Sequence, residues 1–199
     1  MNELKALRAA DEEDASRRAA EGFRTRAHRD GLVDVGFAEL DSPFGRLLVA
    51  ATRRGLVRLA YPNERPDAVL EELAATISPR VLEAPAMLDE VRRELDEYFE
   101  QGRRRFEVPV DYSLTRGFTA KVLRATARIP FGSVATYRDV AGRAGNPRAY
   151  RAAGNALGSN PIPIVVPCHR VVQTGGGLGG YTGGLERKEF LLRLEGALA

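Results

Sequence analysis

Ile164-Val165-Val166-Pro167-Cys168-His169-Arg170-Val171-Val172 places the chain's only cysteine beside one of its two histidines. Apolar β-branched residues on either side predict a buried strand meeting a turn at Pro167. A cysteine in such a setting has two readings. It is an inert small hydrophobe, or it is a nucleophile whose thiol is activated by a neighbouring base or cation. His169 and Arg170 supply candidates for both. On extended backbone, successive side chains point to opposite faces, so a bridging water is the natural link between Cys168 and His169.

Around that stretch the sequence reads as mixed α/β. Leu32 to Leu40, Arg46 to Ala51 and Leu56 to Tyr61 form a predicted β-meander, with turns at Asp41–Gly45 and Arg53–Gly55. Pro66 to Ile77 and Pro85 to Gln101 read as helices opened by proline, and Phe106 to Val110 as a further short strand. After Asp111 the chain becomes mostly helical. Phe118 to Ala127 precedes the breaker Ile129-Pro130-Phe131-Gly132. Thr136 to Ala144 and Pro147 to Leu157, joined by Gly145-Asn146, make a helix-turn-helix. In the second of these helices Ala149, Ala152, Ala153 and Ala156 are expected against the core, with Arg151, Gly154 and Gly158 opposite. Small residues there serve either tight helix packing or close approach to another surface. Leu185 to Leu198 is a final amphipathic helix bearing Glu189.

The expected organisation is a helical extension over residues 1–31, a small antiparallel-sheet α/β domain over 32–112, and a C-terminal domain over 113–199. The last carries the helix-turn-helix and the short buried strand with the cysteine. Composition, at 44% hydrophobic and 29% charged, is that of a soluble globular protein. No apolar run reaches the ~20 residues of a membrane span, and the acidic first residues lack signal-peptide order. One cysteine excludes an intramolecular disulfide and fits a reducing cytoplasm. One Cys and two His make a structural zinc site implausible. From Leu114 onward 12 Lys/Arg face 4 Asp/Glu, a balance of +8, leaving 18 against 23, a balance of −5, before it. Such a split fits a basic half that meets phosphate; ordinary arginine-rich composition is the alternative.

Pro167-Cys168-His169-Arg170, preceded by Asn160-Pro161-Ile162-Pro163 and followed by Gly179-Gly180-Tyr181-Thr182-Gly183-Gly184, resembles the O6-alkylguanine-DNA alkyltransferases. The resemblance is strong from Phe118 to Glu195 and traceable back to Leu32. It implies transfer of an alkyl group from O6 of guanine to Cys168, irreversibly and without a cofactor. It assigns His169 as base acting through water, Glu189 as its orienting carboxylate, and Asn160 as the brace of the active-site turn. Tyr137 would crowd the target phosphate and give a proton toward the leaving base. Arg151 would fill the place of a nucleotide flipped from double-stranded DNA, on a helix laid in the minor groove. Thr119, Arg138, Asn146 and Thr174 would border the DNA, while Val171, Tyr181 and Thr182 would line the base pocket. Thr182 stands where many relatives carry serine. The implied protein is a cytoplasmic monomer with no metal and no membrane partner. A non-catalytic lesion binder is disfavoured by the presence of Cys168. A cysteine hydrolase is disfavoured by the adjacent histidine and the helix-turn-helix.

Overall fold

The computed structural model describes residues 31–198, together with Gly22. The expected N-terminal helix therefore lies, apart from Gly22, outside the described residues. Three strands, β1 (Val35–Leu40), β2 (Leu47–Thr52) and β3 (Gly55–Ala60), pair antiparallel in sequence. At the first turn Gly45 takes φ 93°, and its N–H donates to the Ser42 carbonyl at 3.0 Å. That left-handed conformation suits glycine.

Two features depart from the meander expected of the sequence. Helix α1 (Pro66–Thr76) carries the chain over the sheet, and β4 (Val81–Glu83) then pairs parallel with β1. The sheet order is β3-β2-β1-β4, so the first described strand ends up internal. The predicted strand at Phe106 to Val110 shrinks to one bridge between Leu56 and Val110. Its N–H groups are engaged elsewhere. The buried carboxylate of Glu94, on α2 (Asp89–Phe99), accepts from Glu107 N at 2.8 Å and Val108 N at 3.3 Å. Pro109 has no N–H to give a ladder.

One face of the sheet, with Val35, Leu48, Ala50 and Val57, packs under Val69 and Leu73 of α1. The other face, with Ala38, Leu40, Val49 and Leu59, meets Leu88, Val91, Leu95 and Tyr98 and runs without a break into the C-terminal half. Each fully buried leucine there stabilises by roughly 1.5–3 kcal/mol before entropy. The shared core lets the first half support a site in the second.

The C-terminal half comprises α3 (Gly117–Thr126), α4 (Tyr137–Arg143), α5 (Tyr150–Gly158) and α6 (Leu185–Leu194). Two-residue strands β5 (Ala135–Thr136) and β6 (Val171–Val172) pair parallel. Thr136 closes α4 with a reciprocal cap: Asp139 N donates to its hydroxyl at 3.2 Å, and its own N–H donates to the Asp139 carboxylate at 2.8 Å. Residues 147–149 form a 3₁₀ turn before α5. On α5, Ala153 and Ala156 are buried as expected. Ala152 is exposed, because it follows Arg151 onto the outer face. Among the described residues no helix is long and apolar enough to cross a membrane.

Candidate active site

Cys168 does not sit on a strand. Residues Cys168–Arg170 form a 3₁₀ turn, and extended backbone begins only at Val171. The turn follows a compact segment in which Ile164, fully buried, holds φ 71°. A β-branched residue in that region is strained by about 1–3 kcal/mol and persists only where its surroundings enforce it. Asn160 is part of that enforcement. Its Nδ2 donates to the Val166 carbonyl at 2.8 Å and to Cys168 Sγ at 3.0 Å, while its Oδ1 accepts from Ile162 N at 3.1 Å.

The sulfur lies between two cavities. One of about 440 Å³ is bordered by Tyr137, Gly154, Leu157, Gly180, Tyr181 and Thr182. The other, of about 260 Å³, reaches from Cys168 to Arg58, Tyr61 and Glu64 on the sheet side. The pairing of β5 with β6 sets Tyr137, the first residue of α4, beside the cysteine turn. Its hydroxyl donates to Gly180 O at 3.4 Å. A Cβ at Gly179, where φ is 70°, would stand 2.6 Å from that hydroxyl, so the glycine permits the close wall. Thr182 donates to the Gly158 carbonyl across the pocket mouth. Tyr181 shares a 2.8 Å hydrogen bond with Tyr61 from the N-terminal half. Val171, expected in the pocket, is fully buried behind it.

Glu189 is not the partner of His169. It is half-exposed and pairs with Arg193 at 3.0 Å, four residues on. Glu195 takes the role instead: its Oε1 lies 2.8 Å from His169 Nε2 and accepts from Tyr98 Oη at 2.7 Å. Arg170 completes the cluster, donating through Nε to Oε2 and through Nη2 to Oε1, each at 2.9 Å. Helical period carried the signal. Lys188, Leu191, Leu192 and Glu195 stand at i, i+3, i+4 and i+7, one buried face, whereas Glu189 and Arg193 share the other. Lys188, also unread in the sequence, is fully buried and donates to the carbonyls of Val171 and Leu178.

The electrostatics follow from burial. Burial pushes the Cys168 thiol up, against the Asn160 hydrogen bond and the charge of Lys188. It pushes His169 down, against Glu195. It lowers Lys188 to about 8. Burial would raise Glu195 too, but the hydrogen bonds and charges of His169 and Arg170 outweigh it and hold the carboxyl at about 2. Glu195 is thus an anion that only accepts, so His169 Nε2 carries the proton. His169 Nδ1 is buried and, among the described residues, has no hydrogen-bond partner. The neutral imidazole presents its free lone pair there.

A third concavity, of about 400 Å³, lies on the outer surface between Tyr137, Arg138, Tyr150, Arg151, Gln173 and Thr174. Arg138 and Arg151 each stack 5.8 Å from the ring of Tyr150, a residue the sequence had not marked. Asn146 is exposed at the turn before α5, where it caps Arg148 N at 3.1 Å, and Thr119 is half-buried in the first turn of α3. Among the described residues no group of three or more His, Cys, Asp or Glu is placed to hold a metal ion.

The profile of the 6-O-methylguanine DNA methyltransferase ribonuclease-like domain matches residues 36–112, and that of the DNA binding domain of the same protein matches 117–197. The chain belongs to the methylated-DNA–protein-cysteine methyltransferase family. The inducible family member of Bacillus subtilis is 41% identical over 149 residues, which are 74% of this chain and 82% of that protein. The human methylated-DNA–protein-cysteine methyltransferase is 37% identical over 166 residues, covering 79% and 78% of the two chains. A crystal structure of Mycobacterium tuberculosis OGT in complex with DNA superposes with a TM-score of 0.69 at 34% identity, covering 81% of this chain and 92% of that one. The activity is that of a DNA-repair methyltransferase whose acceptor is a protein cysteine, and the chain has one cysteine.

Proposed function

We propose that the protein flips an O6-alkylated guanine out of duplex DNA and moves its alkyl group to Cys168, irreversibly and once per molecule. The observation that carries this reading is Cys168 Sγ at the junction of two cavities, held by Asn160 and followed directly by the His169–Glu195 pair. At rest, thiol and imidazole are both neutral. His169 Nδ1 takes the thiol proton through a bridging water, and the ionised Glu195 stabilises the imidazolium so formed. The thiolate then attacks the alkyl carbon: the S–C bond forms, the C–O6 bond breaks, and its electron pair leaves with guanine. Tyr137 gives a proton toward the departing base.

Extrusion costs a few kcal/mol of stacking and pairing. Arg151, exposed on α5 and stacked on Tyr150, supplies a planar cation to fill the vacated place. Arg138, Asn146, Thr174 and Thr119 border the duplex, with α5 in the minor groove. Contacts of this kind are largely to phosphate and indifferent to sequence, which suits scattered damage. The reaction needs no cofactor, and a monomer in the reducing cytoplasm suffices.

Incubation with a duplex carrying one O6-methylguanine, followed by mass measurement, tests the reading. The expected result is one methyl per chain, mapped to Cys168, with none on the Cys168→Ser variant. Sustained turnover over excess substrate would overturn it.

A further inference from the structure

Strand β3 grips the active-site turn. The backbone N–H of Leu59 donates to the Pro161 carbonyl at 2.8 Å, and Arg58 Nη1 donates to the same oxygen at 3.3 Å. Arg58 is 9% exposed and lines the sheet-side cavity at Cys168. Its Nη1 also reaches Leu59 O at 3.0 Å, and its Nη2 is held by the Glu64 carboxylate. The other oxygen of Glu64 accepts from Tyr61 N at 3.1 Å, and Glu72 stands 3.6 Å from Arg58 Nε. A planar guanidinium engaged along several edges has little freedom to turn.

The gripped carbonyl belongs to a rigid plane. Pro161 C=O and Ile162 N–H are two ends of one peptide unit, which torsional stiffness keeps flat. Fixing the carbonyl therefore fixes the direction of the Ile162 N–H, the donor that holds Asn160 Oδ1 at 3.1 Å. With Oδ1 held, the amide's other end is committed, and Nδ2 faces Cys168 Sγ at 3.0 Å.

We propose that Arg58 is a positioning residue for Cys168, acting through the Pro161–Ile162 peptide plane and Asn160 to hold an N–H donor on the sulfur. A donor aimed at sulfur favours the thiolate over the thiol. The sheet domain thereby contributes to the reactivity of a thiol carried by the other half of the chain, with which it already shares a core. The consequence for repair rests on Cys168 being the alkyl acceptor. The positioning itself is measurable without DNA.

The test is the pH dependence of Cys168 alkylation by iodoacetamide in the full-length protein, read by mass, beside transfer from free O6-benzylguanine and the melting temperature. Arg58→Met is expected to raise the midpoint of thiol reactivity by about half a pH unit or more and to slow alkylation at neutral pH by roughly threefold to tenfold. Arg58→Lys, which keeps the charge and one donor, should recover part of the loss. Asn160→Ala should shift the midpoint the same way, and adding Arg58→Met to it should change little further, because coupled residues are non-additive. An unchanged midpoint with only a lower melting temperature would reduce Arg58 to a structural residue and overturn the proposal. Fully additive shifts would overturn the route through Asn160. If Arg58→Met does not fold, Glu64→Gln decides by the same readout, with a smaller upward shift expected and no shift overturning. Absence of methyl transfer from an O6-methylguanine duplex in the wild type, with the iodoacetamide shifts intact, would sink the repair reading and leave the positioning role standing.

Discussion

Glu195 and Glu189 stand six positions apart, and only one can serve His169. Cys168 and His169 are neighbours in the chain, and Asn160, eight residues before the sulfur, reaches it through its Nδ2. The orienting carboxylate comes from a different element, and its choice depended on which face of α6 is buried. Substitution separates the two acids. Glu195→Gln leaves Arg170 without its counter-charge in the interior, a change expected to destabilise by roughly 3–5 kcal/mol and to slow alkyl transfer at least about tenfold. Glu189→Gln should stay within about 0.5 kcal/mol of wild type, with transfer unaffected. Acid should tell the same story. Glu195, held at about 2 against an ordinary 4.5, contributes stability that is present above pH 4.5 and lost as pH falls toward 2. His169, lowered by burial, favours unfolding once pH drops below its ordinary 6.5. Both act in one direction, so the melting temperature should fall steadily from pH 6.5 downward, and Glu195→Gln should flatten its lower part. A melting temperature that rises on acidification would contradict the buried pair.

At the scale of elements, the helices of the C-terminal half were legible because their caps and breakers are written locally. Thr136 and Asp139 announce α4, and Pro147 opens the turn into α5. Strand β4 was not legible: three residues between two prolines carry no period, and only the crossing of α1 brings them beside β1. The 3₁₀ turn at Cys168 was hidden for a related reason, since apolar β-branched neighbours read as strand whatever the buried backbone does. On α5 the exposure of Ala152 beside Arg151 widens the smooth face that Gly154 and Gly158 begin. Arg151→Ala distinguishes extrusion from attraction. If the side chain fills the stack, single-turnover repair should fall most on matched duplex, less on a mismatched or single-stranded lesion, and almost not at all on free O6-alkylguanine. Equal loss on every DNA substrate, with the salt slope reduced by about one, would make Arg151 a phosphate contact only.

For the molecule as a whole, the division of charge at Leu114 matches a division of labour. The exposed arginines around Tyr150 belong to the +8 half, while the −5 half contributes the sheet, the Tyr61–Tyr181 contact and the grip on Pro161. Residues 1–35 lie outside both matched domains, which begin at 36 and end at 197. They also lack the basic surplus of the second half. Deleting Met1 to Arg29 is therefore expected to leave transfer from a short methylated duplex within about threefold of the full chain. Seven Lys/Arg would be removed together with six Asp/Glu, a nearly neutral loss, so the salt dependence of DNA binding should also hold. Comparing single-turnover rates at two ionic strengths decides the matter. A loss beyond about tenfold, equivalent to ~1.4 kcal/mol of barrier, would mean that the leading segment takes part in the reaction. A flattened salt slope with unchanged rate on free O6-benzylguanine would instead assign it to DNA binding.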